Sequence, residues 1–318
     1  MTRAASCLLL IGLLGAAAGT SAAAQELTGT LKKVKDRGTI TLGFREDALP
    51  FSYRRDASPA WPEPCEEAAP RRDIQVGRAC AVGYAIDLCR EIVDDVSAEL
   101  DGMPIRVRFR PVTPENRIPR LRAGDIDLEC GSTTSTAERR REVAFSPPFF
   151  VTGTRLLVRK ADGIRSYRDL KGRTLVVTQG TSNEAVLRQL DTLQNLNLDI
   201  VTAPDHAASF SLFSAGQADA FATDDILLYG FIARDRAADE LTIVGDMLSY
   251  EPYGIMHRRD DPLMAALVER TFARLATTGT IVRLYERWFL QPLPDGERLN
   301  RPMTPQLQAI FRSLGLPD

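Results

Sequence analysis

The sequence is poor in the groups that build metal and nucleophile sites. It has two histidines, His206 and His257, too few for a histidine-rich metal centre. Its five cysteines form no C-x-x-C pair, so zinc ribbons and thioredoxin-like redox chemistry find no support. No metal and no cofactor are expected. Neither sign of charge dominates: 40 basic residues face 42 acidic ones, a net charge of -2. A nucleic-acid partner or an anionic-membrane surface is therefore not implied. There is no G-x-S-x-G, no Walker-type glycine loop, no G-x-G-x-x-G and no H-E-x-x-H. Long apolar runs are missing beyond the first two dozen residues, and a bilayer span needs about 20 such residues.

The N-terminus is the exception. Arg3 precedes an apolar run from Ala4 to Ala18, and Ala22-Ala23-Ala24 stands before Gln25. This pattern reads as a secretory signal peptide over 1–24, removed near Ala24 on export. The apolar run is short for an anchoring helix. Export permits disulfides among Cys65, Cys80, Cys89 and Cys130, which allow three pairings. Cys65 and Cys80 bracket a Pro/Glu/Arg-rich insert, 56–77, without helical or strand period. Cys89 falls on an apolar helix face with Ala85, Ile92, Val93, Val96 and Leu100, and Cys130 ends a short strand. A Cys89–Cys130 link would tie that helix to its sheet; two buried free thiols are the alternative.

Strand patterns are expected at 39–44, 105–110, 126–130, 154–159, 174–178, 198–202, 218–222, 241–244 and 254–257. Helical patterns at 83–100, 114–123, 182–190, 206–215, 225–234 and 262–289 lie between most of them. Such alternation predicts an α/β fold with largely parallel sheets. Pro147-Pro148 and the stretch near Tyr250–Pro252 break regular structure and read as crossings between two lobes. The expected division is lobe 1 at 25–148 and 250–318, and lobe 2 at 149–249.

Polar residues gather at the strand-to-helix turns, where open α/β sheets hold ligands. Arg45 follows the first strand and Arg117 opens a helix. Ser132, Thr134 and Arg139 follow the third strand. Thr181 and Ser182 start a helix, His206 starts another, and Asp224 ends a strand. Arginine forks and helix N-termini suit carboxylates, while a carboxylate with hydroxyls suits an ammonium. The set matches an α-amino acid, with arginines left for a side-chain acid. Taken alone, each residue also has a plainer reading: a solvated arginine, or a helix cap at Thr181, Ser182, His206 or Asp224.

At these residues the chain resembles the periplasmic glutamate/aspartate-binding proteins of amino-acid ABC transporters, in the family 3 solute-binding proteins. The matching stretches are FREDALPFSY (44–53), NRIPRLRAGDIDLECGSTTSTAERRREVAFS (116–146), FFVTGTRLLVRK (149–160), DLKGRTLVVTQGTSNE (169–184), DH (205–206), DD (224–225) and YGIMHRRDDP (253–262). The resemblance implies a type II periplasmic-binding fold, two α/β lobes joined by two crossings with a cleft between them. It implies a monomeric, periplasmic, non-enzymatic protein that captures an acidic amino acid and presents it to a membrane ABC permease. Arg139, helped by the Thr181–Ser182 turn, would hold the α-carboxylate. Thr134 and Asp224, with Ser132 beside them, would hold the α-ammonium. Arg45, Arg117 and His206 would grip the distal acid, and protonation of His206 would make affinity fall as pH rises. Two positions depart from the family. Pro114 stands where a serine usually helps to bind the side chain. Ile255 stands in place of a cysteine, which leaves Cys89 as the candidate partner of Cys130. Two other functions fit the same fold: a dehydratase-type enzyme, with Glu46 or Glu129 as its acid, and the ligand-binding component of a sensory system.

Overall fold

The structure, a computed structural model, describes residues 26–54, 65–69, 81–294 and 296–317. The 1–24 segment, Cys80 and most of the insert lie outside the described residues. In chain order the elements are α1 (Gly29–Arg37), β1 (Thr39–Phe44), β2 (Asp47–Ala48), β3 (Ser52–Tyr53), β4 (Cys65–Ala69), α2 (Tyr84–Glu99), β5 (Ile105–Pro111), α3 (Arg117–Arg122), β6 (Leu128–Cys130), β7 (Val143–Phe145), β8 (Phe150–Thr152) and β9 (Thr154–Arg159). There follow β10 (Thr174–Thr178), α4 (Ser182–Gln194), β11 (Asp199–Ala203), α5 (His206–Ser214), β12 (Ala220–Asp224), α6 (Asp225–Arg234), β13 (Leu241–Val244), β14 (Glu251–Tyr253), β15 (Met256–Arg258), α7 (Pro262–Thr277), α8 (Thr280–Phe289) and α9 (Pro305–Ser313).

Two separate sheets form, one of six strands in the order β4-β5-β1-β6-β15-β7 and one of five in the order β11-β10-β12-β9-β13. Each has a parallel centre and antiparallel additions. In the first, β5, β1 and β6 run parallel, while β4 and β15 are antiparallel to their neighbours. In the second, β11, β10 and β12 run parallel, while β9 and β13 are antiparallel. The sheets are mixed, where alternation alone predicted largely parallel ones. The returning strands β15 and β9 follow extended connections rather than crossover helices, and only a crossover enforces parallel entry. The insert is also more regular than its composition indicates, because 65–69 pairs with the edge of β5. Edge pairing needs backbone groups and little side-chain pattern.

The two sheets are linked by β8 and β14, which pair antiparallel with Phe150 opposite Tyr253 and Thr152 opposite Glu251. This ribbon is anchored in aromatic packing. The Phe51 and Tyr253 ring centroids lie 5.1 Å apart, and those of Phe150 and Phe289 lie 5.0 Å apart. Offset and edge contacts of this kind add about 0.5–1.5 kcal/mol each beyond area burial. Phe289 belongs to α8, whose buried stripe is Ile281, Tyr285, Trp288 and Phe289. The sequence predicts one helix over 262–289. It is broken at Gly279, whose φ of 66° is left-handed and cannot continue an α-helix.

The helix α2 buries Ala85, Ile86, Cys89, Ile92, Val93 and Val96 against the first sheet. Its start requires glycine: Gly83 has φ 138°, and a Cβ there would collide with the Phe51 backbone. Cys89 and Cys130 form a disulfide that ties α2 to β6, with a Cα–Cα distance of 6.2 Å. Among the described residues no helix is long and apolar enough to cross a membrane.

Candidate functional site

Each sheet reverses its winding at a central strand, β1 in the first and β10 in the second. Open α/β sheets leave a crevice outside the carboxyl ends of the strands at such points. Eight of the nine sequence-predicted residues fall at those ends, and Arg139 lies further on, in a short 3-10 helix, Arg139–Arg141. Arg45 follows β1, Ser132 and Thr134 follow β6, and Arg117 is the first residue of α3. Thr181 and Ser182 follow β10, His206 follows β11, and Asp224 ends β12.

On the first-sheet side, Arg45 and Arg117 are buried. Arg45 pairs with Asp47 at 2.8 Å. Arg117 donates to Thr133 Oγ1 at 2.5 Å, and Thr133 donates to Glu129 Oε2 at 2.7 Å. The second carboxylate oxygen of Glu129, the Nε of Arg117 and the hydroxyl of Ser132 are buried without a hydrogen-bond partner. Unpaired polar atoms of this kind cost about 1–3 kcal/mol each, which a polar guest would recover. The packing is close enough that a Cβ on Gly131 would collide with Glu129 Oε1 and come within 3.0 Å of Arg45 Cγ. Arg139 donates to Thr134 O at 3.0 Å and crosses the crevice to Gly180 O at 3.3 Å.

On the opposite side, Thr181 caps α4, accepting from Glu184 N at 3.2 Å and donating to Thr178 O at 2.6 Å. Its hydroxyl is thereby used within its own lobe. Ser182 donates to Glu251 Oε2 at 2.7 Å and meets Thr134 Oγ1 at 3.3 Å. Asp224 stands at the start of α6 but makes no side-chain cap there. Its carboxylate instead accepts from Asn183 Nδ2 at 2.8 Å and from the Tyr253 hydroxyl. The His206 ring shares a proton with Thr178 Oγ1 at 2.8 Å, and its backbone N–H donates to Asp47 Oδ2 at 2.6 Å.

Several of these residues share one electrostatic field across the crevice: Arg45 and Arg139 act on Arg117, and Asp224 acts on Arg139. Burial, then Arg139 and Arg45, lower Arg117 to about 9 against the opposing pull of Glu129. Burial likewise lowers Arg139, while Glu251, Glu129 and Asp224 hold it up. Guanidiniums in mutual repulsion are relieved by an anionic guest. Burial raises Asp224 to about 7, and Glu251 adds to the rise against the bonds from Tyr253 and Asn183. Burial and Arg45 push His206 down to about 3, so its ring is neutral across ordinary pH. That direction runs against the expected role of His206 as the titrating group. Thr181 is turned to its cap, and the buried Ser132 hydroxyl has no hydrogen-bond partner.

Sequence reasoning missed several contributors. Asp47, Thr133 and Asn183 lie inside the matched stretches, beside residues that were singled out, and their own positions carried no independent signal. Tyr253 was quoted only as part of a motif. Glu251, buried on the linking strand β14, was read only as part of the Tyr250–Pro252 crossing. Glu129 was named only as a candidate enzyme acid; it is buried, and burial raises its pKa against the pull of Arg117. Glu46, the other nominee, pairs with Arg54 at 2.8 Å at the surface. Pro114 lies in the loop that meets Gly180, where Gln179 Nε2 donates to Glu115 Oε1 at 3.3 Å. Ile255 is a buried core residue. The side-chain pairing of Cys65 with Cys80 lies outside the described residues. Among the described residues no group of three histidine, cysteine or acidic side chains could hold a metal ion.

Two α/β lobes, joined by a two-stranded ribbon and facing each other across a crevice rich in arginine and carboxylate, define a two-lobed binding protein for a small charged molecule. The chain belongs to the family described as bacterial extracellular solute-binding proteins, family 3, which it matches over residues 75–291. It is 37% identical over 312 residues to the L-glutamate/L-aspartate-binding protein of Pseudomonas aeruginosa, covering 98% of this chain and 97% of that one. It is 35% identical over 313 residues to the glutamate/aspartate import solute-binding protein of Escherichia coli K12, covering 98% and 97%. Among solved structures it resembles an ancestral arginine-binding protein bound to arginine, with TM-score 0.65 and 26% identity, covering 80% of this chain and 99% of that one. It also resembles an ancestral amino acid-binding protein, a precursor of cyclohexadienyl dehydratase, with TM-score 0.64 and 28% identity, covering 82% and 99%.

Proposed function

We propose that this protein is exported to the periplasm and captures glutamate or aspartate there for uptake by a membrane ABC permease. The supporting observation is the convergence of Arg45, Arg117 and Arg139 with Asp224 from opposite lobes, linked across the crevice by the Arg139–Gly180 and Ser182–Thr134 contacts. In this reading Arg139 holds the α-carboxylate, and Asp224 with Thr134 holds the ammonium. Arg117, whose Nε lacks an internal partner, takes the distal acid. Arg45 shapes that end while paired with Asp47, and Ser132, Thr181, Ser182 and His206 line or brace the pocket. Lobe 1 comprises 25–148 and 250–318, and lobe 2 comprises 149–249, with the β8–β14 ribbon as the hinge. A guest touching both halves favours closure, because only the closed form offers all its partners. Nothing in this cycle requires covalent chemistry.

A dehydratase-type enzyme is the second reading, favoured by one observation: Glu129 is a buried carboxyl of raised pKa beside Arg117. A general acid has that character. The test is a thermal-shift and calorimetric screen of the twenty amino acids, with the ligand recovered afterwards. Saturable stabilisation by glutamate or aspartate, with unaltered ligand returned, supports capture. Stabilisation confined to other amino acids defeats the acidic reading, and ligand consumed supports the enzyme.

A further inference from the structure

We propose that Asp47 is a specificity-determining residue: a carboxylate of the chain that competes with an acidic ligand side chain for Arg45 and the start of α5, and so weakens the preference for an acid over its amide. This rests on the acidic-amino-acid reading above. Three donors converge on Asp47. Arg45 reaches Oδ1 at 2.8 Å, while the backbone N–H groups of His206 and Ala207 reach Oδ2 at 2.6 and 3.0 Å. The side chain is only 8% exposed.

The placement is specific. Asp47 is fixed in the β2–β3 hairpin opposite Tyr53, on the first-sheet side. Its partners His206 and Ala207 belong to the other lobe. The helix already has a cap of its own, since Asp205 accepts from Ala208 N at 2.7 Å. Asp47 is therefore a second carboxylate at this helix start, contributed across the crevice. A guanidinium and a helix N-terminus form a ready anion site. Here a charge belonging to the chain occupies it. Burial opposes that charge, but Arg45 and the two N–H donors hold the carboxyl below its ordinary range, so Asp47 is ionised.

The neighbouring positive groups share this field: Arg45 and Arg117 both act on His206, and Arg45 acts on Arg117. An incoming side-chain carboxylate meets Arg45 already neutralised and Asp47 repelling it. A side-chain amide meets neither penalty. Asp47→Asn keeps an acceptor oxygen for His206 and Ala207, removes the charge, and replaces the oxygen that accepts from Arg45 by an amide NH2.

The experiment is calorimetry on wild type and Asp47→Asn with glutamate, glutamine, aspartate and asparagine. For whichever acid/amide pair the wild type binds better, the acid/amide affinity ratio is expected to rise about tenfold or more, the scale of one nearby charge in a partly screened site. Asp47→Ser is expected to raise the same ratio. If acid and amide affinities move together, so that the ratio is unchanged or falls, Asp47 is only an interlobe tie and the proposal is overturned. The wild-type measurement judges the acidic reading separately. A wild type that prefers the amide defeats that reading while the ratio in the variant still judges Asp47. A wild type that binds none of the four defeats both.

Discussion

Lowering pH from 7 to 5 is expected to weaken ligand binding by about 50-fold through Asp224. Burial, with Glu251 nearby, raises the free carboxyl to about 7. A bound ammonium favours the carboxylate, so binding drives Asp224 to ionise and releases a proton. Below its free pKa the protein must lose that proton before the ammonium gains its partner. Affinity then falls about tenfold per pH unit, or about 1.4 kcal/mol each. Because the carboxyl is already half protonated at pH 7, the loss between pH 7 and 5 is about 2.3 kcal/mol. His206, held near 3, adds no slope in this window. Glu129 contributes with the opposite sign, because a distal ligand acid favours its neutral form. Comparison with Asp224→Asn separates the two: the variant retains the Glu129 contribution and loses that of Asp224. Calorimetric titration with glutamate at pH 5, 6 and 7 provides the reading. A wild type and variant with parallel pH profiles would refute the argument, as would wild-type affinity that improves on acidification.

The same carboxyl carries a stability cost. Its folded pKa exceeds the unfolded one, so the folded state holds an extra proton between about pH 4 and 7 and loses stability as pH rises through that window. Asp224→Asn is therefore expected to raise the ligand-free melting temperature at pH 8 and to leave it nearly unchanged at pH 4, as read by scanning calorimetry. Arg117→Ala is expected to weaken glutamate binding by roughly 100-fold or more, the scale of breaking a buried charge pair, with a much smaller loss for glutamine. Equal losses for both would remove Arg117 from the side-chain subsite. Cys89 and Cys130 are 41 residues apart in sequence. The chain-entropy relation gives about 4 kcal/mol for closing such a loop, so the double serine variant should lose about that much in denaturant titration. A loss below about 1 kcal/mol would show that α2 and β6 hold together without the bond.

Much of the fold could be read from periodicity, and the reason is burial. β9, β10 and β13 occupy the residues their apolar runs predict, as does α6. The elements that escaped notice have short or weak patterns. β8 and β14 are three residues each, and their identity comes from pairing with one another rather than from alternation. The strand at 65–69 is specified by the open edge of β5. Gly279, a single left-handed residue, divides a continuous apolar stripe into two helices. At the candidate site, arginines and hydroxyls at strand ends were legible because topology places such ends together. Their internal partners were not. Asp47 and Glu251 act on residues far away in sequence, 159 positions between Asp47 and His206 and 69 between Ser182 and Glu251. The burial of His206 beside Arg45, which lowers its pKa, was illegible for the same reason: it exists only in three dimensions.

The most direct measurement is a crystal structure of the protein with bound glutamate. The account predicts one molecule in the interlobe crevice, with its α-carboxylate on the Arg139 guanidinium, its ammonium on the Asp224 carboxylate and its distal acid within hydrogen-bond reach of Arg117. Glutamate bound elsewhere, or seated in the crevice with neither carboxylate on an arginine, would contradict it.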